Sequence, residues 1–260
     1  MQQIAAQLAE IAEAAGAAIL ALGRQALDAS LKEPGQLVTA ADRLSHEIME
    51  PELARRFPGV ARVMEEQENP ETLPASYLTA DELDGTAIFA SGFPDWAVTL
   101  ALVENGQPVA GVMHQPVLGV TVTAAKGGGA WLNGERLRLA AGTALNSSIV
   151  MLEINRFISE ADFGWVRRVA LGSLAGASQA TAVGNTISLL RGRANVYLNC
   201  GGAKVWDFAA AALAVSEAGG VVLADHGGAI DWRRLPVGAL LAANRQVADE
   251  VLALRDGCQA

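Results

Sequence analysis

Asp81-Glu82-Leu83-Asp84-Gly85-Thr86 crowds three carboxylates into four residues and ends them on a glycine, directly after the strand-like run Ser76-Tyr77-Leu78-Thr79. Each ionised carboxylate taken out of water costs on the order of several kcal/mol unless something neutralises it. A strand that ends in acids and then a tight glycine turn suits a hard cation: the carboxylates supply oxygen ligands, and the free N–H groups of the turn face an anion beside it. The same six residues also describe a solvated acidic turn, so the rest of the chain has to discriminate.

With 260 residues, 51% of them hydrophobic and 18% charged, the chain can bury a large core as one sizeable domain or two subdomains, and general disorder is excluded. No run of about 18 uncharged apolar residues occurs. Met1-Gln2-Gln3-Ile4 lacks the basic start of a signal peptide. The expected address is the cytoplasm, with no membrane partner. Cys200 and Cys258 are too few for a disulfide frame or a zinc site and read as free thiols. A net charge of −9 argues against a nucleic-acid polymer as partner. It would repel a phosphorylated substrate too, unless bound cations reverse the local sign.

Apolar residues at helical spacing predict one long amphipathic helix over 3–27 (Ile4, Leu8, Ile11, Ala15, Ile19). Residues 32–38 break the pattern and predict a mobile surface loop. Thr39-Ala40-Ala41-Asp42 has capping-box spacing, opening a second helix that runs to about Arg56. Val60 to Met64 reads as a strand ending in Glu65-Glu66. From Trp96 to Leu139 the pattern is antiparallel β, with hairpin signals at Asn105-Gly106 and Asn133-Gly134. Lys126-Gly127-Gly128-Gly129 lacks nucleotide-loop spacing and reads as a turn. Beyond about residue 140, strands (148–154, 194–199, 221–224, 238–242) alternate with helices (160–170, 185–192, 206–218, 245–255). The expected organisation is an N-terminal α+β subdomain over 1–140 carrying most metal ligands, and a C-terminal α/β subdomain over 141–260 contributing Asp207 and substrate contacts.

Trp206-Asp207 opens the Ala-rich helix that ends at Glu217-Ala218-Gly219-Gly220. Capping and the helix dipole alone would explain an aspartate there. With Glu65 and the 81–84 cluster, however, it is a third separate place where a regular element delivers a carboxylate. Rigid elements converging in this way are what a two- or three-metal site needs.

At this point the chain resembles the inositol monophosphatase family. Asp81-Glu82-Leu83-Asp84-Gly85-Thr86 with Gly92-Phe93-Pro94 is similar to its D-P-[IL]-D-G-T…G-F-P segment, and Trp206-Asp207-Phe208-Ala209-Ala210 through Gly220 to its W-D-x-A-A…E-A-G-G segment. Leu37-Val38-Thr39-Ala40-Ala41-Asp42 matches L-V-T-x-x-D, Met64-Glu65-Glu66 stands where G-E-E is expected, and Gly127 to Gly134 resembles the G-x-G-A-x-x-N-G turn. The resemblance covers nearly the whole chain, in order.

The resemblance implies a layered αβαβα sandwich of mixed α/β (α+β) class, of the inositol monophosphatase and fructose-1,6-bisphosphatase type. It implies a Mg²⁺-dependent, lithium-sensitive phosphomonoesterase, a phosphoric monoester hydrolase acting on a small phosphorylated polyol, sugar or related metabolite by metal-activated water. Two or three Mg²⁺ ions are implied, held by Glu65, Asp81, the Leu83 carbonyl, Asp84 and Asp207. Glu65, Asp42 and Thr86 would be catalytic, with Thr86 hydrogen-bonded to Asp42. Gly85, Thr86, Asn199 and Asp207 would contact substrate, and a homodimer is expected. Four departures stand out, one of them near Gly184-Asn185-Thr186, where the usual R-x-x-G-[ST]-A pattern is altered with Thr181 in the arginine's place. Glu82 replaces the usual proline and is expected to loosen a stiff turn; Met64 replaces glycine; Asn199 falls where many members carry an acid.

A haloacid-dehalogenase reading of D-x-D-G-T fails because Glu82 occupies the nucleophile position. Within the family, 3′(2′),5′-bisphosphate nucleotidase, histidinol-phosphate phosphatase and fructose-1,6-bisphosphatase activities stay open. So does a catalytically impaired metal-binding homologue.

Overall fold

The computed structural model describes residues 1–23, 30–33 and 36–256. In chain order the first half contains α1 (Gln2–Leu22), β1 (Ser30–Glu33), β2 (Gln36–Val38), α2 (Ala40–Arg56), β3 (Ala61–Met64), β4 (Tyr77–Asp84), α3 (Thr86–Ser91), β5 (Ala97–Glu104), β6 (Gln107–Gln115), β7 (Val120–Ala125), β8 (Gly129–Leu132) and β9 (Glu135–Arg136). The second half contains β10 (Ile149–Leu152), α4 (Glu160–Gly172), β11 (Ala175–Ala177), α5 (Ala182–Leu190), β12 (Val196–Asn199), α6 (Val205–Glu217), β13 (Val221–Ala224), β14 (Ala239–Ala242) and α7 (Arg245–Asp256).

Five layers result. α1 and α2 cover one face of a seven-stranded sheet ordered β3-β4-β5-β6-β7-β8-β9; α6, with α5 beside it, fills the space to a five-stranded sheet ordered β11-β10-β12-β14-β13; α4 and α7 cover its far face. α6 is buried on all sides because both sheets need it. Its run Ala209-Ala210-Ala211-Ala212 supplies small side chains where Gly111 of β6 packs so closely that a Cβ on Gly111 would come 2.9 Å from Ala210 Cα and 3.0 Å from its Cβ. Larger residues there would force the layers apart.

α1 is long and apolar enough to cross a bilayer by length and composition, yet Leu8, Ile11 and Ile19 sit at 0–1% exposure against α2 and β5–β7. Its apolar stripe is a core face. The helix expected over 3–27 ends at Leu22, with Gly23 at φ 66°; residues 24–27 lie outside the described residues, as does Cys258. The loop expected over 32–38 is a correction: Leu31 pairs with Leu37 and Glu33 with Gln36 in the β1–β2 hairpin. Pro34-Gly35, between the strands, reads locally as a break, whereas the pairing partner lies before it in sequence. Both Asn-Gly hairpins form as expected, with Asn105 at φ 50° and Gly106 at φ 69°, and Asn133 at φ 48° and Gly134 at φ 83°.

Candidate metal centre

β4 runs straight through the acidic cluster, and all eight of its residues are buried. The glycine turn expected to carry the acids therefore begins only at Gly85. Pairing with β5 overrides the poor strand propensity of acidic residues. Asp81 stands opposite Thr99 and Asp84 opposite Ala97, so Glu82 and Leu83 together stand against Val98 alone and one extra residue is absorbed as a bulge. That bulge lets Asp81 and Asp84 face one space although they lie three apart.

Each acid is locked by backbone N–H groups. Asp81 Oδ1 accepts from Leu83 N at 2.9 Å. Asp84 accepts from Ala182 N at 3.1 Å and Val183 N at 2.8 Å, which seats it on the first turn of α5. Asp207, third residue of α6, takes Lys204 N on Oδ2 at 2.6 Å, as Asp42, third residue of α2, takes Thr39 N on Oδ2 at 2.7 Å. In both helices one carboxylate oxygen caps the helix and the other is left for the site. Asp42 Oδ1 accepts from the Thr86 hydroxyl at 3.0 Å.

One ligand atom each from Asp81, Asp84 and Asp207 lie within 4.8 Å of one another. With Glu65, Leu83, Gly85 and Thr86 they line a cavity of about 560 Å³ at the end of β4 and the start of α6. Burial, then the Glu65, Asp84 and Asp207 charges, pushes Asp81 far above the usual carboxylate range. Burial also lifts Asp84 to about 6 and, with the Asp84 charge, Asp207 to about 7. The like charges of Asp81, Asp84 and Asp207, gathered where burial disfavours ionisation, fit a hard divalent cation.

Two residues depart from expectation. Asn199 is not part of that lining: it is buried, and its Oδ1 accepts from Gly201 N at 3.0 Å. Glu82 does not loosen a turn. It is 1% exposed inside β4, its carboxylate 2.7 Å from His46 Nδ1, while Ser45 Oγ donates to the Glu82 carbonyl at 2.7 Å. Asp42, Ser45 and His46 thus stand on one face of α2: Ser45 and His46 grip β4 at Glu82, and Asp42 holds Thr86 at the start of α3.

Glu153, beyond β10, was missed. Burial and the Asp84 charge raise it to about 7, and Asn185 Nδ2 donates to it at 3.0 Å. Its signal was a carboxylate ending another predicted strand. The glycine turn over 127–129 is no nucleotide loop, since Gly127 N and Gly129 N both donate to the Glu217 carboxylate at 2.8 Å.

A five-layer sandwich closing over gathered carboxylates is the architecture of a metal-dependent phosphatase acting on phosphomonoesters. A family model described as the inositol monophosphatase family matches residues 1–260. The inositol-1-monophosphatase of Mesorhizobium japonicum is 33% identical over 242 residues, covering 88% of this chain and 86% of the relative. The fructose-1,6-bisphosphatase/inositol-1-monophosphatase of Thermotoga maritima is 31% identical over 191 residues, 72% of this chain and 70% of the relative. Among solved structures, the extragenic suppressor protein suhB from Bartonella henselae superposes with a TM-score of 0.86 at 27% identity, covering 97% of this chain and 98% of that one. An IMPase/NADP phosphatase complexed with Mg²⁺ and phosphate shares the fold at 20% identity, with a TM-score of 0.82 over 92% of this chain and 89% of that one. The chain belongs to the inositol monophosphatase family.

Proposed function

We propose that the protein is a Mg²⁺-dependent phosphatase of small phosphorylated metabolites, working with two or three ions held by Glu65, Asp81, the Leu83 carbonyl, Asp84 and Asp207. The observation that carries this is the approach of three carboxylates, buried Asp81 and Asp84 from β4 and partly buried Asp207 from α6, to within 4.8 Å. Bound divalent cations supply charge neutralisation for the phosphate and acidify water at the site. The residues of the chain do the rest. Thr86 Oγ, donating to Asp42 Oδ1, keeps lone pairs free to take a proton from the attacking water. Glu65, across the cavity, orients that water. The N–H groups of Gly85 and Thr86, at the start of α3, take phosphate oxygens.

Phosphate release from inositol 1-phosphate, histidinol phosphate, fructose 1,6-bisphosphate and 3′-phosphoadenosine 5′-phosphate, with and without Mg²⁺, tests the reading. Mg²⁺-dependent release from at least one ester is expected, whereas no release with metal binding retained means a binding homologue. The protein is proposed to act as a cytoplasmic homodimer. Exposed Leu171 and Leu174, beside the short edge strand β11, support an interface.

A further inference from the structure

The acidic floor of the cavity is matched by an apolar wall that binding phosphate does not require. Phe157 lines the same cavity as Asp81, Asp84 and Asp207, together with Trp206 and Leu235. Trp206 is buried, but Phe157 is left 49% exposed at the mouth. A phenyl ring held in water gains nothing from burial.

The ring is nonetheless held in place. Phe157 N donates to Asn155 Oδ1 at 2.9 Å, and Asn155 Nδ2 donates to Gly201 O at 3.0 Å, tying the loop after β10 to the loop before α6. At Gly202, where φ is +84°, a Cβ would come 2.7 Å from Phe157 Cδ2, and one at Gly201 would come 3.0 Å from the Phe157 carbonyl oxygen. The two glycines make room for the ring. The Arg156 guanidinium lies over it, 5.3 Å from the centroid.

Groups that would recognise a polyol are committed elsewhere. Asn199 Oδ1 is bound to Gly201 N. Gln67 Nε2 donates to Arg62 O at 2.7 Å, and Asn69 Nδ2 to Met64 O at 2.7 Å, although both residues line the cavity. The amide donors of Gln67 and Asn69 are thus spent on the chain itself, whereas a flat π system meets a fixed ring.

We infer that Phe157 sets specificity at this site by stacking on the leaving group, and that the substrates are phosphate monoesters whose leaving group carries a planar aromatic or heteroaromatic ring, such as a nucleobase or an imidazole. This rests on the phosphatase reading and deepens it. Stacking of one base on one aromatic side chain changes affinity by about tenfold.

The test compares wild type with Phe157→Leu, which stays apolar but has no π face. kcat/KM is measured on adenosine 3′-monophosphate, histidinol phosphate, inositol 1-phosphate and glycerol 2-phosphate. The ratio of kcat/KM for each ring-bearing ester over glycerol 2-phosphate should fall about tenfold in the variant, chiefly through KM. A fall with adenosine 3′-monophosphate alone assigns the wall to nucleobases, and a fall with histidinol phosphate alone to imidazole. Unchanged ratios for both overturn the inference. If wild type releases phosphate from none of the esters, the phosphatase reading fails separately, and an NMR titration with adenosine itself decides about the wall. About tenfold weaker binding by Phe157→Leu supports stacking, and equal affinity refutes it.

Discussion

Glu82 shows how one residue can carry a different device from the one its neighbours suggest. Next to Asp81 and Asp84 it reads as a third acid of the cluster or a loosened turn, yet its carboxylate points to His46 on α2. Nothing local could reveal this, because the partner lies 36 residues away. Asp42 and Thr86 were legible together only through family resemblance, since their hydrogen bond spans 44 residues. Removing the His46 side chain strands a buried carboxylate. His46→Ala is expected to cost ~2–4 kcal/mol in urea unfolding, at the lower end because part of the imidazole meets water. His46→Leu combined with Glu82→Pro should recover most of that loss by removing the charge and stiffening the chain. A His46→Ala midpoint equal to wild type would show that the latch contributes nothing.

At the scale of elements, periodicity and turn chemistry carried most of the fold. α2, α4, α6 and α7 are where caps and apolar spacing placed them, and both Asn-Gly hairpins pair β5 with β6 and β8 with β9. β11 was missed because Ala175-Gly176-Ala177 has no strand propensity, and only pairing with β10 makes it a strand. The length of β4 was underestimated for the same reason. Gly85 joins β4 to α3 at φ +86°, and a Cβ there would run into the Thr181 methyl at the start of α5. Gly85→Ala should therefore destabilise by ~1–3 kcal/mol and weaken Mg²⁺-dependent turnover by displacing Asp84 and Thr86. Unaltered melting and turnover would contradict the tight junction.

Across the whole molecule, two sheets and α6 converge their ends on one acidic cavity, and the stability of the protein should register it. Asp84 at about 6, and Asp207 and Glu153 at about 7, hold protons more tightly when folded than as unfolded carboxylates near 4. Their favourable contribution is full below about pH 4 and is lost as pH rises through 6–7. Without divalent cations these groups should lower Tm between pH 5.5 and pH 8, and the rise in Tm produced by Mg²⁺ should be larger at pH 8. An equal or smaller rise at pH 8 would mean that the gathered acids do not form the cation site. The location of the cavity was readable from three separated carboxylates. Its apolar wall was not, because Phe157 reads alone as an ordinary loop residue.

The most direct test is Asp84→Asn, which removes one charge and keeps the side-chain shape. Mg²⁺ binding by calorimetry and phosphate release at saturating Mg²⁺ should be measured on the same preparation. Weaker binding and a loss of turnover of about 100-fold or more are expected, because even groups behind the ligands cost 10–100-fold. Near-normal turnover with wild-type Mg²⁺ affinity would contradict the assignment of this cluster as the catalytic metal site.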